Sequence, residues 1–172
     1  MDVKGYFINL EESKERRIAI SRHLNDLRCS DQYSRFPAVR GEANSKMRRG
    51  LTRGEQGLWI TWMNLLASEA ENTEDYEYLH IIEDDALLSK EFLAFMQGLK
   101  KQEIKFDMLV TDMYVNPDVY LKLANTKRKL EKKNEISVTR NLYTGCLSSC
   151  VIRKTNLPKI FKLLKSAYYS KE

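Results

Sequence analysis

Apolar positions along the chain recur with a short period in some stretches and with a helical period in others, and the two kinds of stretch take turns. Tyr6 to Leu10 (YFINL) is a short, partly β-branched apolar run, which predicts a strand. A polar turn follows, and then a helix predicted from about Ser13 to Arg28, on which Ile20, Leu24 and Leu27 fall at i, i+4 and i+7 and form the stripe facing a sheet. Arg17 lies on that stripe one turn earlier. On that stripe it could point toward the mouth of the fold, where a phosphate could meet it, but spacing alone favours a side chain reaching out to water.

Phe36 to Gly41 (FPAVRG) predicts a second strand ending in a glycine turn, and the basic loop SKMRRG follows it. Thr52 and Glu55 have the capping-box spacing, which announces a helix running to about Glu71 through Leu58, Ile60, Trp62, Leu65 and Leu66. Trp59 and Trp62 at helical spacing are read as core. Tyr78 to Ile82 is the next strand, and Ser89 caps a helix whose Phe92, Phe95, Met96 and Leu99 repeat at helical intervals. Phe106 to Asp112 and Gly145 to Arg153 read as two further strands. The last helix begins near Asn156, with Pro158 tolerated in its first turn. Strands alternating with helices predict an α/β fold built on a mostly parallel sheet flanked by helices, with ligands gathered beyond the carboxyl ends of the strands.

Three consecutive acids, Glu83, Asp84 and Asp85, sit at such an end. Strand alternation would send Ile81, Glu83 and Asp85 to one face and Ile82 and Asp84 to the other, so that Glu83 and Asp85 converge. Like charges so close are costly unless a cation or hydrogen bonds offset them. A hard divalent ion, magnesium or manganese, which takes carboxylate oxygens and keeps substrate phosphates as its other ligands, would do so. The plainer alternative is a solvated loop placing negative charge near the helix after Ser89. His80, on the same strand face as Ile82, reads as a packed core residue.

Composition narrows the class. The chain has 172 residues, 42% hydrophobic and 31% charged, with three prolines and seven glycines. That is one ordinary folded domain, residues 1–172, rather than a disordered chain. The opening MDVKGYFINLEESKERR has no apolar stretch long enough for an export signal or a membrane span. Cys29, Cys146 and Cys150 are an odd count without zinc spacing, and read as reduced thiols. A cytoplasmic location is expected. The net charge of +5 favours anionic partners without choosing one. The basic stretch Lys122 to Lys133 could rest on anionic lipid, giving peripheral contact with the inner face of a membrane, or be ordinary surface charge. A nucleic-acid enzyme is the reading least favoured, because the tyrosines are not interleaved with the basic run as a base-stacking platform requires.

Taken in order, YFINLEESKERR, RFPAVRG, LTRGEQGLWITW, YLHIIEDDALLSKEF and FDMLV resemble the successive blocks of glycosyltransferase family 25. The resemblance implies a GT-A-like, Rossmann-like fold and an inverting hexosyltransferase. Its donor would be a UDP-sugar, galactose favoured, and its acceptor a saccharide or glycolipid of lipooligosaccharide or a similar glycoconjugate. Carried over by position, it implies that Asn9 and Leu10 line the nucleotide pocket and that Arg16 or Arg17 helps hold the diphosphate. Asp85 would ligate a divalent metal, Mn or Mg, with Glu83 and Asp84 contacting the ribose or the metal's waters.

The sequence departs from the family pattern at three places. Thr61 and Trp62 stand where Ser-His is usual, and GCLSSCVIR replaces a tyrosine-bearing block, with Ser149 at the tyrosine's place and Gly145 and Arg153 retained. The acidic P-x-D segment that normally follows is absent before Glu172. Such a member is expected to be truncated, or to be a catalytically inactive descendant that binds a nucleotide sugar or a protein. For the general base that an inverting transferase needs, the carboxylate nominated is Asp112, at the end of the FDMLVTD strand; a structural turn acid is the other reading.

Overall fold

The computed structural model describes residues 3–41, 51–101, 103–112, 124–125, 128 and 148–169. The loop SKMRRG, most of the basic stretch Lys122 to Lys133, and the expected residues Gly145 and Cys146 lie outside these. Strands β1 (Val3–Asn9), β2 (Tyr33–Pro37), β3 (Tyr78–Glu83), β4 (Met108–Val110) and β5 (Ser149–Arg153) form one sheet in the order β2-β1-β3-β5-β4. Helices α1 (Lys14–Asp26), α2 (Arg53–Ala70), α3 (Phe92–Lys101) and α4 (Leu157–Tyr169) cover it.

The sheet is mixed, which corrects the mostly parallel expectation. β1 pairs in parallel with β2 and β3, whereas β5 is antiparallel to both β3 and β4. An apolar run buried on both faces carries no direction of its own, so SCVIR reads the same whichever way it runs. The reversal has a consequence for the site. It brings the start of β5 beside the end of β3, with Ser149 opposite Ile82 and the Glu83 amide donating to Ser148 O at 2.8 Å.

Period-two alternation divides the core between the two faces. Val3, Phe7, Tyr78 and Ile82 pack with Ile20 and Leu24 of α1 and with Phe92, Met96 and Leu99 of α3. Ile8, Leu79, Ile81, Cys150 and Ile152 pack on the other side with Trp62, Leu65 and Leu66 of α2 and with Leu157 and Ile160 of α4. Ile81 and Ile82 are wholly buried, each worth about 1.5–3 kcal/mol of transfer free energy. Cys29 and Cys150 are buried free thiols. No helix among the described residues is long and apolar enough to cross a membrane.

The expected capping box forms: Thr52 Oγ1 accepts from the Glu55 amide at 3.2 Å, and Glu55 Oε2 accepts from the Thr52 amide at 2.7 Å. Gly41 does not serve a turn. It and Gly57 let the segment after β2 press backbone to backbone against α2, since a Cβ on Gly41 would lie 1.9 Å from Arg53 O and one on Gly57 2.3 Å from Val39 O. The Thr61 hydroxyl completes the contact, accepting from the Val39 amide at 2.8 Å and donating to Gly57 O at 2.7 Å.

Candidate functional site

The carboxyl ends of β1, β2 and β3 meet around Asn9, which is almost wholly buried. Its amide donates to Asp84 Oδ2 at 2.6 Å and to Ser13 O at 3.0 Å, while its Oδ1 and backbone carbonyl accept from Arg35 at 3.1 Å each. Both ends of the Asn9 side chain are thus committed to other parts of the fold. Asn9 ties the turn before α1, the turn after β3 and strand β2 together rather than lining a cavity, and Leu10 is the neighbour that lines one.

The three acids do not follow strand alternation. β3 ends at Glu83, and a turn closed by the Ala86 amide on Glu83 O carries Asp84 and Asp85 away from the strand. Asp84, 9% exposed, accepts from Asn9 and from Arg16 Nη1 at 3.0 Å. Asp85, 61% exposed, lies 3.6 Å from the same guanidinium. Glu83 is half-buried, and burial first, then the charges of Asp85 and Asp84, push its carboxyl above the usual range. Among the described residues no cluster of three or more His, Cys, Asp or Glu side chains could hold a metal by itself.

Arg16, not Arg17, meets the acids. Arg17 turns to the exposed Glu11, at 3.4 Å, and lines neither of the cavities described below, so of its two readings the inward aim is the one not met. Glu11 also holds Arg35 at 2.7 Å, and the charge and hydrogen bond of Arg35 keep its carboxyl below the usual range.

Two cavities open at this edge, and Glu83 belongs to both. The first, about 540 Å³, lies between β1, the segment after β2 and the first turn of α2, with Arg16, Arg40 and Arg53 in its wall beside Glu83 and Asp84. The second, about 820 Å³, lies between the turn after β3, α3 and the β4–β5 pair. Its carboxylates are Glu83, Asp85, Glu91 and Asp112, its hydroxyls include Thr111, Ser148 and Ser149, and Phe92, Phe95 and Leu109 give it apolar walls. Asp112 Oδ2 accepts from Ser148 Oγ.

Arg40, Arg53, Thr111 and Ser148 were not singled out in the sequence. Arg40 sits in the block FPAVRG, Arg53 in LTRGEQG, Thr111 in the strand FDMLVTD beside Asp112 and Ser148 in GCLSSCVIR, so position within those stretches was the available signal; for Ser148 the reversal of β5 was also needed to bring it to this edge. Thr61 and Trp62 line neither cavity: Thr61 holds Val39 and Trp62 lies in the core. His80 is core, as expected, wholly buried and stacked on Phe92 at 4.5 Å.

No curated protein matches the chain. The family model for glycosyltransferase family 25 (LPS biosynthesis protein) matches residues 2–156. The match takes in β1 to β5 and both cavities, and the chain belongs to glycosyltransferase family 25.

Proposed function

We propose that the chain transfers a hexose, galactose favoured, from a UDP-sugar to a saccharide acceptor of lipooligosaccharide or a similar glycoconjugate, with inversion at the anomeric carbon and a fold of GT-A type. One observation carries the reading: a cavity with Arg16, Arg40 and Arg53 in its wall, beside Glu55, Glu83 and Asp84, and a second walled by acids and hydroxyls share Glu83. Arg16, Arg40 and Arg53, together with the positive end of the α2 dipole, suit a diphosphate in the first cavity. A sugar joined to that diphosphate then passes Glu83 into the second.

A divalent ion, Mn²⁺ or Mg²⁺, fits Glu83 and Asp85. Burial first, and then the charges of Asp85 and Asp84, raise the Glu83 carboxyl, and a cation would relieve the second of these; two carboxylates suffice for an ion whose remaining ligands are phosphate oxygens and water. When bound, it neutralises charge building on the departing diphosphate. Asp84, held by Asn9 and Arg16, fixes the turn that presents Asp85.

In the transfer, the acceptor hydroxyl oxygen bonds to the anomeric carbon while the bond from that carbon to the diphosphate oxygen breaks, the electron pair leaving with UDP. The acceptor proton passes to a base, and of the four carboxylates of the second cavity the one assigned to this is Asp112, whose Oδ2 accepts from Ser148 Oγ. A second reading, binding without turnover, is favoured by Thr61 and Trp62, which serve packing where the family pattern has Ser-His.

Calorimetric titration with UDP and UDP-galactose, with manganese and with chelator, tests the proposal. Asp85→Asn should weaken metal-dependent UDP binding by tenfold or more, while the melting temperature stays within about 2 °C, because the side chain is exposed. Unchanged affinity would overturn the metal assignment. Binding without release of UDP from any UDP-sugar, whatever acceptor is added, would decide for the inert reading.

A further inference from the structure

A file of hydrogen-bonding side chains crosses the sheet behind the second cavity. Tyr33 Oη on β2 lies 2.5 Å from His80 Nδ1 on β3, His80 Nε2 lies 2.9 Å from Ser149 Oγ on β5, and Ser149 Oγ lies 2.6 Å from Thr111 Oγ1 just beyond β4. β1 stands between Tyr33 and His80, and the residue in register with both is Gly5. A Cβ there would fall 2.4 Å from the Tyr33 ring. The missing side chain is what lets Tyr33 reach across β1.

Satisfaction of donors sets the direction of the file. His80 is wholly buried, and burial lowers its pKa to about 3, so the ring is neutral and carries one N–H. Burial also keeps Tyr33 un-ionised, with a hydrogen to place. Were Nδ1 the protonated nitrogen, it would donate to Tyr33 Oη, and the tyrosine hydrogen would have no acceptor among the described residues. With Nε2 protonated every donor is met: Tyr33 gives to Nδ1, Nε2–H gives to Ser149 Oγ, and the Ser149 hydrogen goes to Thr111 Oγ1. The Thr111 hydrogen is left over, on an exposed side chain lining the cavity.

The cavity also specifies what would receive it. Among the described residues that line it stand four carboxylates and no Lys, Arg or His. A ligand carboxylate is repelled there, whereas the hydroxyls of a neutral sugar donate to the acids and offer an oxygen to Thr111. We infer that Tyr33 and His80 are positioning residues, which make Thr111 a hydrogen-bond donor to an oxygen of an uncharged hexose in the second cavity, and that this cavity disfavours sugars bearing a carboxylate. The inference rests on the transferase reading for the presence of a nucleotide-linked sugar.

Two measurements test it on the full chain. Long-range ¹H–¹⁵N NMR with labelled histidine should find the Nε2–H form of His80 at neutral pH; the Nδ1–H form would overturn the relay. Titrations with UDP, UDP-galactose and UDP-galacturonate give the contribution of the sugar as a ratio of affinities to UDP. UDP-galactose should exceed UDP-galacturonate. Thr111→Val should lower the UDP-galactose to UDP ratio about five- to tenfold, Thr111→Ser should restore it, and UDP affinity itself should hold in both. Tyr33→Phe, which keeps the packed ring, should lower the same ratio and mix the His80 tautomers, effects a purely structural tyrosine would not produce. An unchanged ratio in Thr111→Val, or equal binding of both sugars, overturns the inference. Absence of UDP binding by the parent chain would instead sink the transferase reading, and the tautomer spectrum would still judge the relay by itself.

Discussion

A carboxylate that is half-buried and faces two others, as Glu83 does, costs the free fold energy whenever it is ionised. Its folded pKa is raised, so the cost is absent well below the ordinary value of 4.5, grows as pH rises past it, and is complete above the folded value. Glu83→Gln should therefore raise the melting temperature at pH 7 by about 2 °C, with the difference shrinking in scans below pH 4.5, while weakening UDP-sugar binding. A variant that loses both stability and binding would refute the repulsion argument. That acids gather at a strand end was legible in the sequence; their separate fates were not. Alternation is a rule for strands, and it stops at Glu83, where the turn begins. The choice between Arg16 and Arg17 was hidden for a related reason. Adjacent residues on a helix point about 100° apart, and Glu11, in the preceding turn, captures the one that the apolar stripe favoured.

At the scale of elements, the floor of the first cavity depends on the seam between α2 and the segment after β2. Gly57→Ala would put a methyl 2.3 Å from Val39 O, with backbone rather than a flexible side chain as the obstacle. A loss of about 2–3 kcal/mol in urea unfolding is expected, together with weaker UDP binding because Val39, Arg40 and Gly41 shift with it. Stability within about 0.5 kcal/mol of the parent would show that the seam yields. Helix positions and the capping box could be read from the chain because they are local. Strand order and the direction of β5 could not, since they are fixed by partners far away in sequence.

Across the whole molecule, the end of the sheet opposite the cavities is secured by Glu69. This nearly buried carboxylate accepts from Tyr76 Oη at 2.6 Å, Tyr6 Oη at 2.8 Å, Lys4 Nζ at 3.0 Å and Asn72 Nδ2 at 3.2 Å, joining α2 to β1 and to the approach to β3. Burial pushes its carboxyl up, but the hydrogen bonds and the Lys4 charge outweigh it, and the pKa lies below the ordinary 4.5. The resulting stability is full above 4.5 and is lost as pH falls through the folded value. Glu69→Gln should lower stability at pH 7 by about 2–3 kcal/mol, with the gap closing in acid. A gap that stays constant with pH would deny the carboxylate its role. Family membership was legible from the order of short blocks, whereas the division of the edge into two cavities needed the fold.

The opposed course of β5 has one last consequence. The wall suited to the nucleotide comes from the first half of the chain and most of the wall suited to the sugar from later segments, and the two are stitched together where Glu83 meets Ser148. A substitution on one bank of that suture can therefore reshape that wall and leave the side chains of the other where they are.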